Sequence, residues 1–436
     1  MEKLFGTDGV RGVVNIKLTS SMAQNIANTL SKYCKNKKVI IATDTRTSGD
    51  LIKFACTVGL IDGGVNIIDI GIATTPCVAY LTKLVNADFG IMISASHNPP
   101  EYNGIKIFDS DGRKLAQAFE KKLEKNYGKY TRKQHKYLGK YQHCTQLVNK
   151  YIDFLIDTGT KLNNTKIVLD ASNGAAYKIA PKVFKNLGAK VININCKNDG
   201  KNINNNCGAL YPETLSKYVV KHKADVGFAF DGDADRIVVV TDTGNILDGD
   251  QILFLLAKHF KQQNKLKNNM IIGTINSNLA LIQNLNKIGI AYENAEVGDK
   301  FVAKKMTKQN CNLGGEQCGH IILSDYSTTG DGVLTAVVLT NILAKQKTKI
   351  SKLENITPLP QQKLNITVKN KQQIINDKQF KALIKTIKKQ LDKNSRIVVR
   401  PSGTEPKIRV VIESKNIKQS KQLITKIKRL IKIIDC

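Results

Sequence analysis

Four polar segments interrupt otherwise apolar stretches of this chain, and each carries residues that can do chemistry. The first is GIMISASHNPPEYNGIKIF (90–108). It reads as a buried strand that exits on Ser96, His97 and Asn98. A serine at a strand exit beside a histidine is a candidate nucleophile that needs activation. A plain turn, with Ser and Asn bonding the backbone and Pro stopping the strand, would look the same. The second is VGFAFDGDADRIVVV (226–240). Asp231, Asp233 and Asp235 alternate, and alternate residues of an extended chain share a side. Three carboxylates so placed repel unless a cation sits among them. Hard oxygen ligands suit Mg²⁺, which also accepts phosphate oxygens. Apolar runs on both sides make a solvated acidic turn the weaker explanation.

The third segment is NLGGEQCGHIIL (312–323). Glu316 and Cys318 offer partners for sugar hydroxyls, and His320 could move a proton. A glycine-rich turn with a core histidine would read alike. The fourth is VVRPSGTEPKIRVV (398–411). Ser402, Gly403 and Thr404 offer backbone N–H groups and hydroxyls between two strands, with Arg400 and Arg409 beside them. That is a phosphate nest with guanidinium clamps. Together the four segments fit metal-assisted phosphoryl transfer to or from a serine on a phosphosugar.

The elements that must position these residues show a weak internal repeat. KKVIIATDTRTSG (37–49), TKIVLDASNGAA (165–176) and NNMIIGTINSNLA (268–280) each give an apolar β-branched run followed by small polar residues. A helical stretch follows each, and then a second strand after glycine. Strand, helix, Gly, strand is a βαβ pattern. It predicts three similar α/β domains with mixed, mainly parallel sheets, the polar turns lying at the strands' carboxyl ends. The tail reads as a smaller α+β domain of βαββα order. The expected domains are 1–145 with Ser96, 146–245 with the aspartates, 246–360 with the GEQCGH loop, and 361–436 with RPSGTEP.

Composition narrows the class. The 436 residues are 42% hydrophobic and 24% charged, as in soluble proteins of several domains. No stretch nears the ~18 apolar residues of a membrane span. The nine cysteines are scattered, which reads as reduced thiols in a cytoplasmic protein. The formal charge of +31 invites a nucleic-acid reading. Lysine dominates it, however, and no aromatic ladder accompanies the basic runs. A compositional bias spread along the chain is the expectation, with no nucleic acid and no membrane as partner. Only nine basic residues are Arg, and five of them (Arg11, Arg46, Arg236, Arg400, Arg409) lie in Gly-, Asp- or Ser-rich segments. Phosphate recognition is the simplest shared demand.

The motifs FGTDGVRG (5–12), ISASHNP (93–99), NGIKIF (103–108), DGDADR (231–236), GGEQCGH (314–320) and RPSGTEPKIRV (400–410) stand in the order of the α-D-phosphohexomutase superfamily. The chain resembles that family end to end, and FGTDGVRG with GEQ resembles its glucosamine branch. The resemblance implies a heart-shaped enzyme of four domains with a central cleft. It implies phosphoserine at Ser96, with one Mg²⁺ held by that phosphate and Asp231, Asp233 and Asp235. Glucosamine 6-phosphate would be converted to glucosamine 1-phosphate through a 1,6-bisphosphate, feeding UDP-N-acetylglucosamine synthesis. Glucosamine or glucose 1,6-bisphosphate would serve as activator.

By the same resemblance Glu316, Cys318 and His320 contact the small-molecule phosphosugar. Arg400, Ser402, Gly403, Thr404 and Arg409 hold the non-reacting phosphate. Lys106, Arg11, His97 and Arg236 surround the transferring group, with Lys106 or His320 in acid–base roles. A homodimer is compatible with it. Two positions depart from the pattern: Cys318 stands where the family has Ser, and PEY follows SHNP as in the phosphoglucomutase and phosphomannomutase branch. Those two activities are the nearest alternatives. A non-catalytic nucleic-acid or sugar-phosphate binder would require Ser96 or an aspartate to be missing, and none is.

Overall fold

The three predicted repeats fold as parallel strand pairs in a computed structural model that describes residues 4–6, 8–129, 137–402 and 406–435. Lys38–Thr43 pairs with Asn66–Ile72 across the helix Gly49–Asp62. Lys166–Asp170 pairs with Lys190–Ile194 across Ala176–Asn186. Met270–Thr274 pairs with Ala291–Ala295 across Leu279–Lys287. Each helix is left through a glycine at positive φ: Gly64 at 73°, Gly188 at 91° and Gly289 at 66°. Only glycine takes that turn without a Cβ clash, so it fixes where each second strand begins.

A third parallel strand then joins each first strand and turns back as a hairpin. In the first domain Phe89–Ile93 lies beside Lys38–Thr43 and reverses into Tyr102–Phe108. In the second, Val226–Phe230 lies beside Lys166–Asp170 and reverses into Ile237–Thr241. In the third, Leu313–Gly315 lies beside Met270–Thr274 and reverses into Ile321–Leu323. Ser96, the three aspartates and the GEQCGH loop are therefore the same hairpin tip in three successive domains. The strands are short and β-branched, and helices cover both faces, which is why they read as unbroken apolar runs.

The tail forms an antiparallel sheet in the order Gln361–Thr367, Lys407–Glu413, Arg396–Pro401. The helices Lys378–Gln390 and Ile417–Asp435 pack on it over a core of its own, including Phe380, Ile387, Ile408, Val410 and Ile427. A short helix, Lys371–Asn376, adds to the expected βαββα order. The first three domains instead share one continuous core, running from Ile40 and Phe108 through Tyr151 and Phe228 to Leu253 and Val337. That shared core holds the first three hairpin tips in fixed relation.

The charge is not spread evenly, as the sequence reading expected. Residues 361–436 hold 20 of the 67 basic residues and five of the 36 acidic ones. They carry +15 of the +31, where an even spread would give about +5. Much of it sits on the exposed outer faces of the two helices, including Lys381, Lys385, Lys388, Lys421 and Lys428. Among the described residues no helix is long and apolar enough to cross a membrane, and the eight described cysteines are free.

The helix Gly332–Gln346 crosses this shared core and is capped by Asp331, whose carboxylate accepts from Leu334 N at 2.9 Å and from the Tyr151 hydroxyl at 2.7 Å. Burial pushes the Asp331 carboxyl up to about 6. Its folded value lies above its unfolded one, so the folded state binds that proton more tightly. Its contribution is complete below pH 4 and declines as pH rises to about 6. Asp331→Asn keeps a capping oxygen and removes the titration. The stability difference between variant and parent should therefore move in the variant's favour between pH 4 and 6. Paired melting curves across that window check this; a constant difference contradicts it.

Candidate active site

Ser96 sits at the first hairpin tip, fully buried, in a left-handed backbone conformation with φ of 55°. A non-glycine residue held there stores strain, which surrounding bonds must impose. They are visible. Arg46 pairs with Asp44 at 2.9 Å. Its guanidinium also donates to the carbonyls of Ser96 (2.9 Å), Asn98 (2.8 Å) and Tyr102 (2.9 Å). Asp44 accepts from the Ser94 hydroxyl at 2.6 Å, and Ser94 Oγ accepts from Ser96 N at 2.9 Å. Asn204, from the second domain, donates to the Ser96 carbonyl at 2.8 Å. Arg46 is thus spent on carbonyls. It does not fit the phosphate demand inferred from the scarcity of arginine.

The strained turn aims Ser96 Oγ across the domain boundary at Asp231 Oδ2, 2.6 Å away. His97 Nδ1 lies 3.4 Å from the same hydroxyl. Asp231, Asp233 and Asp235 offer carboxylate oxygens within 4.8 Å of one another, and all three are buried. They converge by a turn rather than by strand alternation. Ala234 takes φ of 57° and its N–H returns to the Asp231 carbonyl at 3.1 Å. The pleat expected from the sequence ends at Phe230, because the chain must reverse into the next strand.

The donor set fits a hard divalent cation. Asp233 Oδ1 and Asp235 Oδ1 are buried without a hydrogen-bond partner. Burial, with Asp235 and Asp233 alongside, pushes the Asp231 carboxyl up to about 8. Buried orphan oxygens and mutual repulsion are what a cation relieves. The outward oxygens are already engaged. Lys106 donates to Asp233 Oδ2 at 2.6 Å and to Asp235 Oδ2 at 2.8 Å. Burial works against the Lys106 charge, but Asp233, Asp235 and Asp8 hold its pKa well above the usual value. Lys106 is a fixed cation.

The other predicted residues ring this pair. Arg11 donates to the Ala95 carbonyl at 3.1 Å and to Asn98 Oδ1 at 3.3 Å, and pairs with Asp8. Arg236 Nε stands 3.9 Å from Asp235. The Nε groups of Arg11 and Arg236 are both buried without a partner, which suits an added anion. Burial, with Arg236 and Arg11 nearby, pushes His97 down to about 3, so its ring is neutral. His320 is buried between Asp235, 3.8 Å from Nδ1, and Asp299, 3.5 Å from Nε2. Burial disfavours its charge, yet the two carboxylates raise its pKa.

Glu316 and His320 close the third hairpin, Glu316 N donating to the His320 carbonyl at 3.0 Å. Cys318 lies exposed at the tip, where the surrounding protein pushes its thiol up to about 11. Gly319 takes φ of 90° and packs so tightly on Ile237 that a Cβ would meet its carbonyl at 2.0 Å. The GEQCGH loop is thereby pressed onto the aspartate hairpin. In the fourth domain Arg400 and Arg409 stand directly opposite one another on neighbouring strands. Burial and then Arg409 lower the Arg400 pKa, with Glu316 partly offsetting them. Two facing guanidiniums call for an anion between them. Ser402 is buried beside them, its N–H donating to Lys407 O at 2.8 Å. Gly403 and Thr404 lie outside the described residues.

Sequence reading missed Asp44, Ser94, Asn204, Asp8, Lys114 and Asp299. Asp8 stands inside the FGTDGVRG motif, but an isolated Asp, Ser or Lys carries no spacing signal. Each also has a partner 50 to 185 residues away.

Comparison with known proteins agrees with this arrangement. The phosphoglucomutase/phosphomannomutase family models match in order: domain I at residues 2–134, domain II at 146–244, domain III at 248–358 and the C-terminal domain at 364–430. A curated phosphoglucosamine mutase from Clostridioides difficile is 43% identical over 99% of this chain and 99% of its own. A phosphoglucomutase/phosphomannomutase family protein from Burkholderia thailandensis has the same fold, with a TM-score of 0.83 at 24% identity, covering 100% of this chain and 98% of its own. The Aspergillus fumigatus N-acetylphosphoglucosamine mutase, solved with GlcNAc-6P and magnesium, superposes with a TM-score of 0.66 at 15% identity, covering 99% and 96%. With four domain models in register and a relative of that closeness along its whole length, this chain belongs to the α-D-phosphohexomutase superfamily and, within it, to the phosphoglucosamine mutases.

Proposed function

We propose that the chain interconverts glucosamine 6-phosphate and glucosamine 1-phosphate, with Ser96 as the phosphoryl carrier. The observation that carries this is the contact of Ser96 Oγ with Asp231 at 2.6 Å, made between hairpin tips of two domains beside two partnerless carboxylate oxygens. Asp231, Asp233 and Asp235, with a phosphate on Ser96, would hold magnesium. The cation would neutralise the carboxylates and draw charge from the phosphoryl oxygens.

The chain's own residues supply the rest. Phosphorylated Ser96 gives its phosphoryl group to O1 of glucosamine 6-phosphate: the Oγ–P bond breaks and Oγ takes up a proton, while the O1–P bond forms and the O1 hydroxyl gives up its proton. The resulting bisphosphate turns over in the cleft. Its O6–P bond then breaks as Ser96 Oγ takes that phosphoryl group back, and O6 is reprotonated. Lys106, held charged by three carboxylates, would steady the transferring group, and His320 would exchange the proton. Arg11 and Arg236, whose buried Nε groups lack a hydrogen-bond partner, would hold the transferring phosphate. Arg400, Ser402, Gly403, Thr404 and Arg409 hold whichever phosphate is not reacting. Two fixed phosphate stations let the sugar bind in either orientation. Closure around it keeps water from the phosphoserine. Glu316 and Cys318 read the sugar between the stations.

Comparing turnover of glucosamine 6-phosphate with glucose 1-phosphate and mannose 1-phosphate tests the substrate. The glucosamine sugar should be the fastest; preference for either other sugar contradicts the reading. Ser96→Ala should lower turnover by about four orders of magnitude or more while sugar-phosphate affinity stays within about threefold. Steady-state kinetics and calorimetric titration separate the two effects. Arg400→Ala should raise the Michaelis constant by about 10-fold or more, since a half-buried charged contact is lost, with magnesium affinity unchanged. An unchanged Michaelis constant removes the phosphate nest.

A further inference from the structure

Six ionisable side chains form a closed ring through the site in which three carboxylates alternate with two lysines and a histidine, and three of its members, Asp8, Lys114 and Asp299, have no role in the reaction as written. Asp8 Oδ2 lies 3.3 Å from Lys106 Nζ, which lies 2.8 Å from Asp235 Oδ2. Asp235 Oδ1 faces His320 Nδ1 at 3.8 Å, and His320 Nε2 faces Asp299 Oδ2 at 3.5 Å. Asp299 pairs with Lys114, and Lys114 pairs with the other oxygen of Asp8, closing the ring. Asp8, Lys106 and Lys114 come from the first domain, Asp235 from the second, and His320 and Asp299 from the third. None of the six side chains is more than 20% exposed, so solvent screens them poorly.

Stability alone does not account for such a ring. Buried ion pairs lose much of their attraction to desolvation, and apolar packing of equal volume often does as well. Docking of the two domains does not require it either. Lys300 pairs with Glu120 at 2.9 Å, and the Thr328 hydroxyl bonds the Gly112 carbonyl across the same boundary. What the ring does supply is orientation. The His320 ring is faced by a carboxylate at each nitrogen, and Gly330 N–H also reaches Nε2 at 3.1 Å. Asp8 is held from both sides by Lys106 and Lys114.

Building on the mutase reading, we propose that Lys114 and Asp299 are positioning residues, which hold His320 and Lys106 in register over Ser96 and Asp231 and so govern transfer rather than substrate binding. Asp299 is the first residue of the helix Asp299–Lys308, beside the GEQCGH hairpin. Lys114 bridges back to Phe108 at the end of the strand that carries Lys106. Each therefore connects a catalytic group to a second domain.

The test uses the full-length, magnesium-loaded protein with glucosamine 6-phosphate and compares Lys114→Met, Asp299→Asn, the double variant and Lys114→Arg. Both single variants should lower kcat by about 10- to 100-fold, the range for a residue that orients a catalytic group. KM should stay within about threefold. The double variant should be no slower than the worse single one, because both break the same ring. Lys114→Arg should recover most of the loss. Unchanged kcat in both single variants overturns the proposal. So does a rise in KM alone, a multiplicative loss in the double variant, or a loss that follows the melting temperature and is not restored by Lys114→Arg. Absent turnover in the parent chain overturns the mutase reading itself; normal parent turnover with unaffected variants overturns this inference alone.

Discussion

Three buried carboxylates with oxygens inside 4.8 Å of one another are the constraint around which the molecule is arranged. Two unit charges about 4 Å apart repel by about 4 kcal/mol at the effective dielectric of a protein. No single turn can hold three of them without help. The help comes from other domains: Lys106 from the first domain takes the outward oxygens, and His320 from the third faces Asp235. Asp233 Oδ1 and Asp235 Oδ1 keep no hydrogen-bond partner, which suits a cation. The same crowding favours neutral donors at Asp231, which accepts from the Ser96 hydroxyl on one oxygen and from the Arg236 backbone N–H on the other.

The repeat makes this convergence possible. Each of the first three domains ends its parallel strands in a hairpin, and the tips carry Ser96, the three aspartates and the GEQCGH loop in turn. A shared core then fixes the three tips rigidly, as transfer over bond-length distances requires. The fourth domain has its own core and an antiparallel sheet. A domain packed separately can approach and withdraw, which suits a site whose sugar must turn over between two phosphate stations. The facing Arg400 and Arg409 belong to that domain, where an arriving anion would relieve their repulsion.

Much of this was legible in the chain. The βαβ repeats and the smaller α+β tail are local patterns of hydrophobicity and glycine, and they folded as read apart from the added helix Lys371–Asn376. The mechanism of convergence was not. Alternation suggested that the aspartates share a strand face, but Ala234 turns the chain at that point and the turn does the work. Arg46 looked like a phosphate ligand because it is rare and sits among small polar residues. Its partners are carbonyls some 50 residues away, which no local pattern announces. Lys114 and Asp299 were invisible for the same reason: a charge network closed across three domains leaves no periodicity in sequence.

The account stands or falls on one covalent state. Incubating the protein with a hexose 1,6-bisphosphate and magnesium, then mapping its peptides by mass, reads that state directly. A single phosphoryl group should appear on Ser96, and it should leave on addition of glucosamine 6-phosphate. A phosphoryl group on any other residue, or none at all on a preparation that turns over the sugar phosphate, would contradict the central claim.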